Sequence, residues 1–151
     1  METTANKSTA TLVHLSTLTQ YFIPFGNYIF PIIIWSTSRD KSEFVNAQGK
    51  QTINFQLSLF VYTLVLALIA IPVFCVSVLK NMSFETFIDG GDMMIKNLNL
   101  QHISGMVLVV IMAVVIFMAL KVAEFFLIIY AAVKTSNGED FKYPLTIPFI
   151  R

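Results

Sequence analysis

Residues 51–79, QTINFQLSLFVYTLVLALIAIPVFCVSVL, decide the fold, because this stretch contains no Asp, Glu, Lys or Arg. Residues 8–38 and 97–120 are likewise free of these charged residues. A helix needs about 20 residues to cross a hydrocarbon core of about 30 Å, so each stretch is long enough to cross a membrane. The sequence therefore predicts three long apolar blocks whose solvent is lipid.

The composition of the whole chain supports this prediction. Of its 151 residues, 56% are hydrophobic and 13% are charged, and the mean hydropathy is +0.71, values untypical of soluble domains. In lipid every backbone donor and acceptor needs a partner within the protein, and the blocks are too long and too uniformly apolar for the strands of a barrel. We therefore expect an all-α fold, a polytopic transmembrane helical bundle.

The first block, residues 12–35, is interrupted near its centre by Ile23-Pro24-Phe25-Gly26-Asn27. Pro24 lacks a backbone donor, Gly26 permits a chain reversal, and Asn27 is a suitable cap for a second helical piece. Two architectures remain open. Either there are four helices, the first two short and forming a hairpin around residues 24–27, or there are three spans with a kinked first one.

The charged connections predict how the chain is divided and oriented. We expect a flexible N-terminal tail at 1–11, a transmembrane domain at 12–135 and a C-terminal tail at 136–151 that packs at the membrane surface. The connection 36–50 reads as an interfacial helix or loop, and 80–102 as an external loop. Cytoplasmic segments carry an excess of Lys and Arg. The cations that flank the blocks place the first connection and the C-terminus in the cytoplasm: Arg39, Lys41, Lys50, Lys134, Lys142 and Arg151.

Lys121 and Glu124 are the charged pair deepest in an apolar block, three residues apart on one helical face. Charges at such depth are costly unless they are paired or face a polar interior. One interpretation is a structural ion pair near the membrane surface. The other is a role in a transport or sensing path.

Other polar residues in the blocks are weaker candidates for function. Asn54 belongs to a stripe with Gln51, Ser58 and Tyr62 that we expect to face protein rather than lipid. His14, with Thr17 and Tyr21 at helical spacing, is expected to be structural or interfacial, because no neighbouring carboxylate is evident.

Several function classes are excluded by what the sequence lacks. It has no phosphate-binding glycine loop, no zinc-type His-Glu-x-x-His motif and no nucleophile elbow, so we expect no catalytic residues, cofactor or metal site. A net charge of +1 with dispersed cations gives no reason to expect nucleic acid. Cys75, the single cysteine, reads as a small hydrophobe.

Several short motifs together resemble a known family. They are Leu12-Val13-His14-Leu15-Ser16, Ile23-Pro24-Phe25-Gly26-Asn27, Pro31-Ile32-Ile33-Ile34-Trp35, the segment from Phe44-Val45-Asn46 to Asn54-Phe55-Gln56-Leu57-Ser58, and the close from Asn137-Gly138 to Tyr143-Pro144-Leu145-Thr146. In order and spacing they look like the bacterial membrane proteins related to the chloroplast inner-envelope import component of about twenty kilodaltons, the Tic-twenty-like proteins. This resemblance implies four helices and a location in the bacterial cytoplasmic (inner) membrane.

Two functions are compatible with these observations. The first is a non-enzymatic scaffold or accessory subunit of a membrane complex, in contact with the lipid bilayer and with a membrane-protein partner or further copies of itself. The alternative is an oligomeric channel or transporter component, with a translocation pore implied only by the Tic-twenty-like resemblance.

Overall fold

The computed structural model describes residues 3–81 and 105–151, and within them the fold consists of four α-helices without β-strands. This confirms the predicted all-α class and the four-helix alternative. Most of the predicted external loop, 80–102, lies outside the described residues. The helices are α1 (Thr4–Ser16), α2 (Gly26–Ser38), α3 (Glu43–Asn81) and α4 (Gly105–Ser136).

The first apolar block folds as two short helices that contact each other, which we call the α1–α2 hairpin. After α1 the chain forms a 3-10 turn over Thr17–Tyr21, and it reverses at Phe25, whose φ of 62° lies in the left-handed region. The reversal does not require Gly26, whose role is instead to allow a close approach to the chain at Thr19. A Cβ atom there would come within 2.9 Å of the Thr19 backbone.

One of the two architectures left open for this block is therefore excluded, and the suggested role of Asn27 as a cap is wrong. It is not one kinked span, because α1 and α2 pack against each other. Each helix has 13 residues, about 20 Å at ~1.5 Å per residue, so neither alone crosses a ~30 Å core. Asn27 does not cap α2 either. The cap position is Phe25, without a side-chain hydrogen bond, and the Asn27 amide donates instead to Gln56 Oε1 on α3 at 2.8 Å.

The third helix begins eight residues earlier than the predicted apolar block. A 3-10 turn at Arg39–Lys41 leads into α3 at Glu43, so most of the expected interfacial segment is the first two turns of a long helix. The reason is that Phe44, Val45 and Gln48 are buried there, which gives the polar-looking segment a packed face. Pro72 lies within α3.

Two helices of the described residues are long and apolar enough to cross a membrane. They are Glu43–Val76 within α3 and Val107–Ser136 within α4, with hydropathies of 2.7 and 2.6. Only 6% of each apolar window is buried inside the protein, which is what a lipid-facing helix requires.

The chain forms two compact units. One consists of Tyr62–Ala119, and its described part includes strongly exposed apolar side chains such as Leu68 and Val115. The other, which we call the polar-core unit, consists of Met1–Val61 and Leu120–Arg151. It contains the α1–α2 hairpin, the start of α3, the end of α4 and the C-terminal tail. Its apolar core includes Ala10, Val13, Val45, Ile53, Phe55, Ile128 and Ala131.

Candidate functional site

His14 is the centre of a buried hydrogen-bonded network in the polar-core unit. Its ring is fully buried, with Nδ1 2.8 Å from the Tyr143 hydroxyl and 2.9 Å from Thr52 Oγ1. Nε2 lies 3.2 Å from Oε1 of Gln48. Three segments far apart in sequence, α1, α3 and the C-terminal tail, therefore converge on one imidazole.

The partners determine which ring nitrogen carries the proton. The Gln48 side-chain amide donates to Asp140 Oδ1 at 3.2 Å, so its oxygen faces the imidazole and accepts from Nε2–H. The Thr52 hydroxyl donates to the Gln48 carbonyl at 2.9 Å, which leaves the Tyr143 hydroxyl to donate to Nδ1. We assign His14 as the neutral Nε2–H tautomer on the basis of this network.

Burial keeps this network neutral. Desolvation lowers the pKa of His14 to about 4, and the bond to Gln48 offsets only part of this effect. Burial also raises the pKa of Tyr143, so its hydroxyl keeps its proton and remains a donor. An imidazole held neutral across the physiological range is suited to holding elements together and not to taking up protons.

Aromatic rings surround this network and anchor the C-terminal tail. Tyr143 stacks on Phe55 of α3 with ring centroids 4.0 Å apart and an interplanar angle of 6°. Phe141 packs edge-on against Tyr143 at 4.9 Å. Both tail aromatics are buried, and contacts of this kind add stability beyond the area they bury.

The tail beyond Tyr143 is held by two side chains of α3. The Asn54 amide donates to the Ile150 carbonyl at 3.0 Å and its oxygen accepts from the Ile150 amide at 2.8 Å. The Ser58 hydroxyl accepts from the Ile147 amide at 2.8 Å. These side chains replace the main-chain partners that a neighbouring strand would offer to an extended segment.

The Lys121 and Glu124 pair forms a second polar cluster with Gln20. Lys121 Nζ lies 2.8 Å from Glu124 Oε2, and the Gln20 amide donates to the other carboxylate oxygen at 2.8 Å. The Glu124 side chain is 1% exposed, whereas that of Lys121 is 35% exposed. The carboxylate is thus buried with both oxygens engaged, while the lysine side chain that pairs with it is partly exposed.

The five residues singled out from the sequence all lie in the polar-core unit, but they do not form one site. Lys121 and Glu124 come together, whereas His14, Asn54 and Asn27 each make a separate contact between helices or between a helix and the tail. Sequence reasoning missed their partners Gln20, Gln48, Thr52, Gln56 and Tyr143. The spacing of Gln48, Thr52 and Gln56 at steps of four is the signal that was available.

The described residues offer little sign of a ligand site. No group of three His, Cys, Asp or Glu side chains in 3–81 and 105–151 is placed to hold a metal ion. Two buried polar atoms in these ranges have no hydrogen-bond partner, Gln56 Nε2 and Thr146 Oγ1. The other polar contacts described above are satisfied within the protein.

Comparison with known proteins corrects the resemblance drawn from the motifs. The model of the magnetosome magnetite crystal formation protein family, MamF/MmsF, matches residues 5–150. No curated protein and no solved structure matches the chain. The Tic-twenty-like assignment is therefore wrong. The motifs that carried it are short, and apolar helices with a Pro-Gly break and interhelical Asn and Gln are common to unrelated membrane proteins.

Proposed function

The chain belongs to the magnetosome magnetite crystal formation family, and from this membership we propose that it is a non-enzymatic accessory protein of the magnetosome membrane. The observation that carries the proposal is the family match over residues 5–150. The two membrane-length helices, α3 and α4, support an integral membrane location. In this role the protein acts on crystal formation through the proteins and lipids that it contacts.

The use of polar side chains in the polar-core unit favours an architectural role. His14 contacts α3 and the tail, Asn54 holds the tail, and Asn27 joins α2 to α3. A catalytic acid or base needs a group that can exchange protons with a substrate. The His14 imidazole is instead enclosed and neutral, which supports a scaffold and argues against an enzyme.

The geometry of Glu124 supports the structural interpretation of the charged pair. An ion pathway needs a carboxylate that can bind and release cations, whereas Glu124 is occupied by Lys121 and Gln20. We therefore favour the accessory function over a channel or transporter. A Glu124→Gln variant that abolishes ion flux from liposomes holding the purified protein would reverse this preference.

We propose that the C-terminal tail and the α2–α3 connection face the cytoplasm, because most cations that flank the spans lie there. The partners we propose are the lipid bilayer and either another membrane protein or a second copy of this chain. Exposed apolar faces on α3 and α4 are the surfaces for these contacts; they include Leu64, Leu68, Ile111 and Val115.

Complementation in a magnetite-forming host tests the proposed function. The chain is deleted and restored as the wild type, as His14→Leu or as Asp40→Asn, and crystal number, size and shape are measured by electron microscopy. Wild type and Asp40→Asn, an exposed substitution, are expected to restore normal crystals, whereas His14→Leu breaks the buried network and is expected to fail. Immunoblots of isolated membranes check that each variant is present.

The proposal is wrong if the deletion leaves the crystals unchanged. The structural role proposed for His14 is wrong under a different result. In that result His14→Leu is present in the membrane at the wild-type level and its tail resists protease, yet crystals are not restored. The imidazole would then have a chemical role that the buried network does not predict.

A further inference from the structure

The tip of the α1–α2 hairpin, residues 21–25, is an exposed apolar surface. Phe22 is 87% exposed and Phe25 is 71% exposed, the former being the highest value among the large hydrophobic residues described. Tyr21 and Ile23 are also exposed. A monomeric soluble protein rarely presents clustered aromatic residues of this kind at a turn.

The open end of the hairpin, formed by the start of α1 and the end of α2, lies beside the start of α3 and the end of α4. On α2, the Trp35 indole donates to Asn46 Oδ1 in the second turn of α3 at 3.0 Å. On α1, Lys7 Nζ donates to the carbonyl of Asn137, which directly follows α4, at 3.3 Å. The residues at these ends are polar or charged and include Lys7, Ser8, Arg39, Asp40 and Lys41.

Contacts along the hairpin measure how far it reaches. On α3 its partners run from Asn46 to Gln56, and along the other spanning helix they run from Asn137, directly after α4, to Glu124. These intervals correspond to about 15 Å and about 20 Å at ~1.5 Å per residue. The contacts of the hairpin thus cover between about half and about two-thirds of a ~30 Å hydrocarbon core, so the hairpin is too short to cross both leaflets.

We propose that the α1–α2 hairpin is a wedge inserted into one leaflet of the bilayer. Its charged ends lie among the lipid headgroups, and its aromatic tip enters the acyl chains of that same leaflet without crossing to the other. The occupant of the exposed tip surface is lipid. The polar ends, the apolar tip and the length of the hairpin agree with this placement.

Insertion into one leaflet has a mechanical consequence. The hairpin adds area to the leaflet that holds its ends, whereas α3 and α4 add area to both leaflets. The protein should therefore favour membranes that are convex on the side of the hairpin ends, as other one-sided apolar insertions do. This property concerns the membrane and does not depend on the proposed role in crystal formation.

Spin-label depth measurements test the placement of the tip. The full-length chain carrying Cys75→Ser and either Phe22→Cys or Asp40→Cys is labelled with a nitroxide and reconstituted in phosphatidylcholine–phosphatidylglycerol liposomes. Both positions are exposed, with Asp40 at 93%, so neither label disturbs the core. The label at 22 is expected to collide with oxygen and to be shielded from a water-soluble nickel chelate, and the label at 40 to show the reverse. Contact of the label at 22 with the chelate, from either side of the bilayer, overturns the proposal.

Curvature sorting tests the wedge itself. The chain is labelled with a fluorophore and reconstituted in giant vesicles so that the hairpin ends face outward. Its density in the flat membrane is then compared with its density in a tube pulled from the same vesicle. The wild type is expected to be enriched in the tube. Phe22→Ser with Phe25→Asn, in which Asn tolerates the left-handed backbone, is expected to lose that enrichment. Leu68→Ser, an exposed substitution on a spanning helix, is expected to keep it. Equal enrichment of the tip variant and the wild type refutes the wedge.

Discussion

Replacing His14 by Asn should remove an acid sensitivity that the wild-type protein carries. His14 is neutral in the folded protein because burial lowers its pKa from 6.5 to about 4. The unfolded chain therefore binds one more proton than the folded chain between these two pH values. The contribution of His14 to the free energy of unfolding is complete above pH 6.5 and is progressively lost as the pH falls toward 4.

The size of this effect follows from the shift. One pKa unit is worth about 1.4 kcal/mol. Lowering the pH from 8 to 4 should therefore reduce the free energy of unfolding of the wild type by roughly 3 kcal/mol more than that of His14→Asn. At pH 8 the variant is the less stable protein, because it loses hydrogen bonds to Gln48 and Tyr143. Asn cannot titrate, and the carboxylates titrate in both proteins, so the difference isolates the imidazole.

Both proteins are unfolded with denaturant in mild detergent at several pH values from 8 to 4, and a fluorescent label at residue 151 in the tail reports unfolding. The experiment measures the difference in free energy of unfolding between wild type and variant. We expect the stability gap between wild type and variant to narrow steadily between pH 6.5 and 4. A gap that stays constant over this range would show that His14 is not buried in neutral form, and the assigned tautomer would be wrong.

Three further predictions concern packing and charge. Lys121→Met should destabilise the protein more than Glu124→Gln, by about 2 kcal/mol or more, because it leaves a buried carboxylate without its cation; unfolding in detergent ranks the two variants. Asn54→Ala removes both bonds to the end of the tail and should speed tryptic cleavage within the tail several-fold, as read by mass spectrometry. Gly49→Ala should lower the thermal midpoint because a Cβ there overlaps an indole, whereas Gly105→Ala, with open space around it, should not.

The apolar helices were the most predictable part of the fold. The absence of charge over 51–79 and 97–120 predicts long lipid-facing helices, because burying an unpaired charge in lipid is costly. The break at Pro24 and Gly26 predicted a reversal but left a kink possible. The start of α3 was misplaced because Gln48 and its neighbours look solvated in sequence and become buried only through contacts with α1 and the tail.

The buried network was less predictable, for a physical reason. His14 and Tyr143 are 129 positions apart, and His14 and Gln48 are 34 apart. Helical periodicity reports which residues share a face, but it does not report which residue of another segment meets that face. The interpretation of His14 as a lone histidine therefore followed from local pattern, and its partners required the tertiary structure.

The side of the membrane on which the N-terminus lies tests the α1–α2 hairpin and the polar-core unit most directly. Single cysteines replacing Thr3 or Arg151 in a Cys75→Ser background are probed in intact cells with a membrane-impermeant maleimide. The hairpin holds the N-terminal helix against the end of α4 through Lys7 and Asn137, so both cysteines should be shielded together and should label together after the membrane is opened. Labelling of residue 3 in intact cells while residue 151 stays shielded would contradict the hairpin and the polar-core unit built on it.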